Sequence, residues 1–275
     1  HDQQIIWELA YLMMRMDTPS GEVLDFLEKE CGSGDAREDI VIEWARALNL
    51  AGKHEQALSL LASRQFTPCE GGEHTVAEQY MFAHHALGRA LYAQGEWKAA
   101  LDRFTKAQIL PDSLGAGLWN EVLLVPHQFY EALCLRRLGE EAKAQEIFGH
   151  ILLLKTDYFS NMHLPELCCW QAKVYRETGL PAMAQELTAA HTRAYEAARE
   201  IKDAGYFKTT PFFISYQEPA ETLRKAACDW QLAMAHWAAG DAEKAGRLAA
   251  ASLKGEPTNL YARLHVKEGK GEEHG

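Results

Sequence analysis

The chain has 275 residues, with 28 lysines and arginines against 39 aspartates and glutamates, and so a net charge of −11. Its apolar share of 47% is that of a globular chain rather than a disordered one. The negative charge disfavours generic binding to nucleic acid or anionic membrane, and no run of ~18 apolar residues could span a bilayer. No basic-then-apolar leader opens the sequence, which leads us to expect a cytoplasmic location. The start at His1 leads us to expect a piece of a longer polypeptide.

In chain order, the first elements are two helices over residues 3–16 and 20–30, split by Asp17-Thr18-Pro19. Apolar-periodic stretches then end at Gly52, Gly95, Gly139, Gly179 and Gly240. Three segments interrupt this series. One is Phe66 to Glu73, one is the glycine-rich connector from Pro111 to Gly117, and one is the long insert over residues 205–219. Residues 267–275 are expected to be a disordered tail. No strand-like alternation persists anywhere.

The five glycines anchor a repeat. Five residues after each stands Ala57, Ala100, Ala144, Ala184 or Ala245, and seven before each stands Ala45, Gly88, Ala132, Ala172 or Ala233. Four before stand Leu48, Leu91, Leu135, Tyr175 and His236. Glycine ends a helix and opens a turn, small residues let two helices approach, and large ones fill the groove between them. The pattern predicts an all-α fold, a right-handed superhelical solenoid of about six helix hairpins. It is expected to occupy residues 1–266 as one domain, with a divergent first hairpin over residues 1–34. No boundary is expected inside the array, because each hairpin borrows burial from its neighbours.

These columns resemble the tetratricopeptide repeat (TPR). The fullest copy reads Leu87-Gly88, Leu91, Gly95, Ala100, Phe104, Ala107 and Pro111. The spacings between turn glycines are 43, 44, 40 and 61 residues, against a family unit of about 34, so longer helices or loops must absorb the difference. The segment Arg64-Gln65-Phe66-Thr67-Pro68-Cys69-Glu70-Gly71-Gly72-Glu73 is similar to a linker in the carboxy-terminal TPR region of certain large bacterial proteins. So is Gly205-Tyr206-Phe207 with Pro211-Phe212-Phe213 and Tyr216. That resemblance would cover roughly residues 35–263. It implies a mostly β amino-terminal region, linked to carbohydrate work, ahead of the repeats. Cys69 stands where the family suggests an aromatic, and the segment after Tyr216 lacks an acidic pair.

Little points to chemistry. Cys31, Cys69, Cys134, Cys168, Cys169 and Cys228 form no C-x-x-C pair, and the adjacent Cys168 and Cys169 read as buried thiols in a reducing compartment. Glu70 and Glu73 flank Gly71-Gly72 as a turn and helix start, without the lysine of a phosphate loop. His84 and His85, adjacent on a helix, point about 100° apart and cannot clamp one metal. His74, His127, His163 and His191 read as packing or surface histidines, with no ligand spaced to join them. The expectation is a protein without catalytic residues, metal or cofactor.

The first helix of each hairpin should line a concave face. Positions ten, six and three before the turn glycine make one i, i+4, i+7 stripe. The minus-six set is Arg46, Arg89, Leu133, Lys173 and Met234, and the minus-three set is Asn49, Tyr92, Arg136, Arg176 and Trp237. The minus-ten set is Ile42, His85, Phe129, Cys169 and Trp230. Five of the ten residues in the first two sets are cationic and none is acidic, where the chain average would place about one cation. We therefore expect a scaffold whose groove binds an acidic peptide or an adjoining domain, the missing amino-terminal part included. The groove residues are Arg46, Asn49, His85, Arg89, Tyr92, Phe129, Arg136, Lys173, Arg176, Trp230 and Trp237. Alternatively, the arginines stitch the repeats by pairing with glutamates of neighbouring helices. The lysine-and-asparagine clamp of chaperone-binding TPRs is not reproduced, since only Asn49 stands in these sets. A second reading is a carbohydrate-associated module in which Tyr206, Phe207, Phe212 and Phe213, with Trp119, stack on sugar rings.

Overall fold

The computed structural model describes residues 2–32, 36–68, 73–118, 120–201 and 220–271. Among them are fourteen α-helices, two short 3-10 turns and no strand. This all-helical architecture is consistent with an α-solenoid. The chain divides into two compact units, His1–Leu164 and Pro165–Gly275. The interruption at residues 69–72, Trp119 and the insert at 205–219 lie outside the described residues.

In the first unit, α1 (Gln3–Arg15) and α2 (Ser20–Cys31) form the leading hairpin. It is followed by α3 (Glu38–Leu50) with α4 (His54–Ala62), α5 (Glu73–Ala93) with α6 (Trp97–Ala107), and α7 (Val125–Arg137) with α8 (Glu141–Leu153). A short α9 (Tyr158–His163) closes the unit. Each first helix also packs on the next one, α1 on α3, α3 on α5 and α5 on α7, which is how stacked hairpins share a core. In the second unit, α10 (Leu167–Glu177) pairs with α11 (Pro181–Arg199) and α12 (Ala220–Ala239) with α13 (Ala242–Ser252), and α10 packs on α12. The last helix, α14 (Leu260–Gly271), packs on α13. It runs into the segment read as a disordered tail, because Lys267, Glu268 and Lys270 are good helix formers.

The five turns are built alike. Gly52, Gly95, Gly139, Gly179 and Gly240 have φ of 77°, 81°, 84°, 80° and 91°, the left-handed region that only glycine enters freely. At each, the glycine N–H donates to the carbonyl three residues back and the next N–H to the carbonyl five back. At Gly95 the acceptors are Tyr92 (3.1 Å) and Leu91 (3.0 Å), and at Gly139 they are Arg136 (3.1 Å) and Leu135 (2.8 Å). This double bond satisfies carbonyls that the helix end would otherwise leave unpaired. Asp17 copies the turn in the first hairpin. Its φ is 54°, its N–H donates to Met14 (3.2 Å) and that of Thr18 to Met13 (2.9 Å). Ala10, seven residues earlier, is fully buried, so α1 carries the small-residue column too.

The small columns sit in the core. Ala45, Ala132, Ala172 and Ala233 are buried, as are Ala57, Ala100, Ala144, Ala184 and Ala245. At Gly88 a β-carbon would come within 2.8 Å of the Phe104 ring, so the absent side chain is what admits the phenyl group. Phe104 and Phe148, nine residues past their turn glycines, are wholly enclosed. Burying each ring contributes about 2–3 kcal/mol. Two of the interruptions pack together: the buried Phe66 donates its N–H to Ser113 (2.8 Å) beside Gly115.

Candidate functional site

The minus-ten, minus-six and minus-three stripe divides between surface and core. In the first unit, Arg46 of α3 is largely covered and binds Glu43 on its own helix through both carboxylate oxygens at 2.8 Å. Burial raises the Glu43 carboxyl above its usual range, and Arg46 opposes that rise. Asn49 is buried and serves as a cross-link. Its amide donates to the Gln79 backbone and side chain on α5, both at 3.1 Å, while its oxygen lies 3.0 Å from His54 Nδ1. Arg89 of α5 is only 6% exposed and lies over the Tyr130 ring, 5.0 Å from its centroid. Tyr92 is partly exposed, with its hydroxyl 3.4 Å from Arg137 Nε. Arg136 of α7 is partly exposed, sits 5.7 Å from the Phe148 ring centroid, and reaches Glu141 of α8 at 3.3 Å.

In the second unit, Lys173 of α10 is partly exposed, with Nζ 4.7 Å from the Trp237 ring centroid. Arg176 is exposed and donates from Nη1 to the Ala239 carbonyl at 2.5 Å, tying α10 to the end of α12. Trp237 is partly exposed within an aromatic cluster, 4.9 Å from Trp170 and 5.2 Å from His265. Trp230 is buried and packs 5.6 Å from His265.

Four of the expected groove residues are therefore core. His85 (0% exposed), Phe129 (1%), Trp230 and Asn49 present no usable surface, and Arg89 presents little. Neighbouring helices cover them: His85 packs on Phe104 of α6 and Tyr130 of α7, and Phe129 on Phe148 of α8. His85 instead joins an enclosed cluster with Phe104, Tyr130 and His127, its Nδ1 being 3.3 Å from His127 Nδ1. Burial pushes the His127 imidazole down to about 3 and that of His84 to about 4, so both are neutral. The accessible part of the stripe is Ile42, Tyr92, Leu133 and Arg136, with Arg46 at its edge, in one unit, and Lys173, Arg176 and Trp237 in the other.

One neighbour escaped the sequence reading. Arg137, beside Arg136 but outside the stripe, is exposed and lies 5.9 Å from the Trp97 ring centroid. A basic residue in the last turn of the first helix was the available signal. The fold also corrects the reading of His191, which spacing left without a cysteine. Cys168, 23 residues away, lies 3.0 Å from it, and Cys168, Cys169 and His191 bring their sulfur and nitrogen atoms within 4.8 Å of one another. The paired carboxylates at Glu70 and Glu73 and the aromatics of the 205–219 insert fall outside the described residues or side chains. Among the described residues no helix is long and apolar enough to cross a membrane.

The turn geometry, the small columns and the hairpin order all describe one repeated unit. Residues 81–104 and 226–251 match the family described as Tetratricopeptide repeat, and these two matches support a tetratricopeptide-repeat protein.

Proposed function

We propose that the chain is a non-catalytic protein-interaction scaffold whose first-helix cations bind an acidic segment. A separate peptide or an adjoining domain of the same polypeptide would supply it. Tetratricopeptide repeats mediate protein–protein contact and are typically non-catalytic, and the matched segments contain Arg89, Tyr92 and Trp237. The carrying observation is that the accessible Arg136 and Lys173 each lie on an aromatic ring, at 5.7 and 4.7 Å. Stacking on a ring orders the side chain in advance, so an incoming carboxylate meets a cation already in place. The Arg136–Glu141 pair is solvent-exposed and worth less than about 1 kcal/mol, so an incoming carboxylate can replace Glu141. Arg46 is held more firmly, by a buried acid, and belongs to the repeat's own packing.

The test is fluorescence anisotropy with a fluorescein-labelled glutamate-rich peptide. Each unit is taken by itself: Arg136→Glu is expected to weaken peptide binding to the first unit, and Lys173→Glu to the second, each about tenfold, the loss of one charge-assisted contact. Arg89 is unsuited to reversal because it is buried. Affinity unchanged by both substitutions would overturn the reading.

A further inference from the structure

The second unit holds a polar relay that peptide binding does not use. Glu166, just before α10, accepts a hydrogen bond from Gln231 Nε2 of α12 at 3.1 Å and another from the Trp230 indole. That contact turns the Gln231 carbonyl oxygen toward His191 Nε2 of α11, also at 3.1 Å. An amide oxygen can only accept, so the proton of the imidazole sits on Nε2 and Nδ1 is left to receive one. Nδ1 faces Cys168 Sγ at 3.0 Å. Thiol, imidazole, amide and carboxyl thus stand in line, with the base fixed in the tautomer that takes a proton from sulfur. His191, Gln231 and Cys169 are buried, whereas Cys168 is partly exposed, so the relay ends at the surface.

We propose that Cys168 is a reactive thiolate, a modification site for soft electrophiles of the low-molecular-weight disulfide class. The Cys168 sulfur attacks one sulfur of the disulfide, a new S–S bond forms and the old one breaks. The departing thiolate leaves with the electron pair and takes the proton held on His191 Nδ1. The surroundings agree with this. The hydrogen bond from Cys169, then the hydrogen bond shared with His191 and the charge His191 gains with the proton, hold the Cys168 thiol below its usual range against burial, which raises it. Burial keeps Cys169 protonated, as it does the Tyr195 hydroxyl 4.5 Å (ring to ring) from His191. Burial likewise raises the Glu166 carboxyl, against the hydrogen bonds it accepts, and the Cys228 thiol; the Glu166 charge in turn raises Cys169 and Tyr195. The Arg199–Asp229 pair, 2.9 Å apart between α11 and α12, and Arg224 of α12 are the charged groups acting on Cys228.

The experiment is iodoacetamide labelling of the full chain from pH 5 to pH 9, read residue by residue by peptide mass mapping. At pH 6, Cys168 in the native chain is expected to react at least about tenfold faster than the same cysteine in the urea-unfolded chain. Glutathione disulfide should add one glutathione, at Cys168 and not at Cys169. His191→Gln should move the Cys168 inflection upward, with circular dichroism reporting whether the fold is kept. If that variant fails to fold, the native-against-unfolded comparison stands by itself. Native labelling no faster than unfolded labelling would overturn the proposal. So would one zinc ion retained per chain and shielding Cys168 and Cys169 together, since that would make the cluster a metal site.

Discussion

His127 is wholly enclosed, and its imidazole is held near 3 chiefly by burial, with the positive charge of His84 acting in the same direction. The unfolded chain takes up a proton near the usual value of about 6.5, which the folded chain refuses until far lower pH. Stability is therefore fully present above pH 6.5 and falls with acid, by up to about 1.4 kcal/mol per pH unit from this one group. Urea unfolding of the wild type and His127→Gln at pH 7 and pH 4.5 checks this. The wild type should lose about 2–3 kcal/mol more than the variant, and equal losses would show that the site is wetter than its packing implies. The sequence marked His127 as a packing histidine, and that role is visible in the fold. It gave no sign that His85 lies against His127, or Cys168 against His191, because 42 and 23 residues separate the partners and only the folded hairpins bring them together.

The hairpin turns were the most legible feature, since a residue with φ between 54° and 91° at every turn favours glycine strongly enough to leave a column in the sequence. The leading hairpin was harder to read because Asp17 takes the glycine position, although Ala10 keeps the small-residue spacing. Asp17 costs the fold twice, through its left-handed backbone and through its negative charge at a helix carboxyl end. Asp17→Gly should therefore stabilise the chain, by about 1 kcal/mol in urea unfolding. No gain, or a loss, would mean that the aspartate side chain holds the turn by contacts of greater value. The groove stripe was less legible. Helical periodicity places minus ten, minus six and minus three near one another, but which of them is covered depends on partners from other helices, Phe104 and Tyr130 over His85 and Phe148 over Phe129.

Across the molecule, a chain of net charge −11 holds three of its first-helix cations, Arg89, Arg136 and Lys173, over aromatic rings. The first unit offers Tyr92, Arg136 and Arg137, and the second offers Lys173, Arg176 and Trp237. Each set is the cation–aromatic surface on which the proposed acidic segment would dock. The most direct test is amide chemical-shift mapping of the full chain, titrated with the glutamate-rich peptide at low salt. Perturbations concentrated on α5, α7 and α10 around Tyr92, Arg136 and Lys173, and lost at about 0.5 M salt, are the expected result. Shifts confined to the second helices α4, α6 and α8, or no shifts at all, would contradict it.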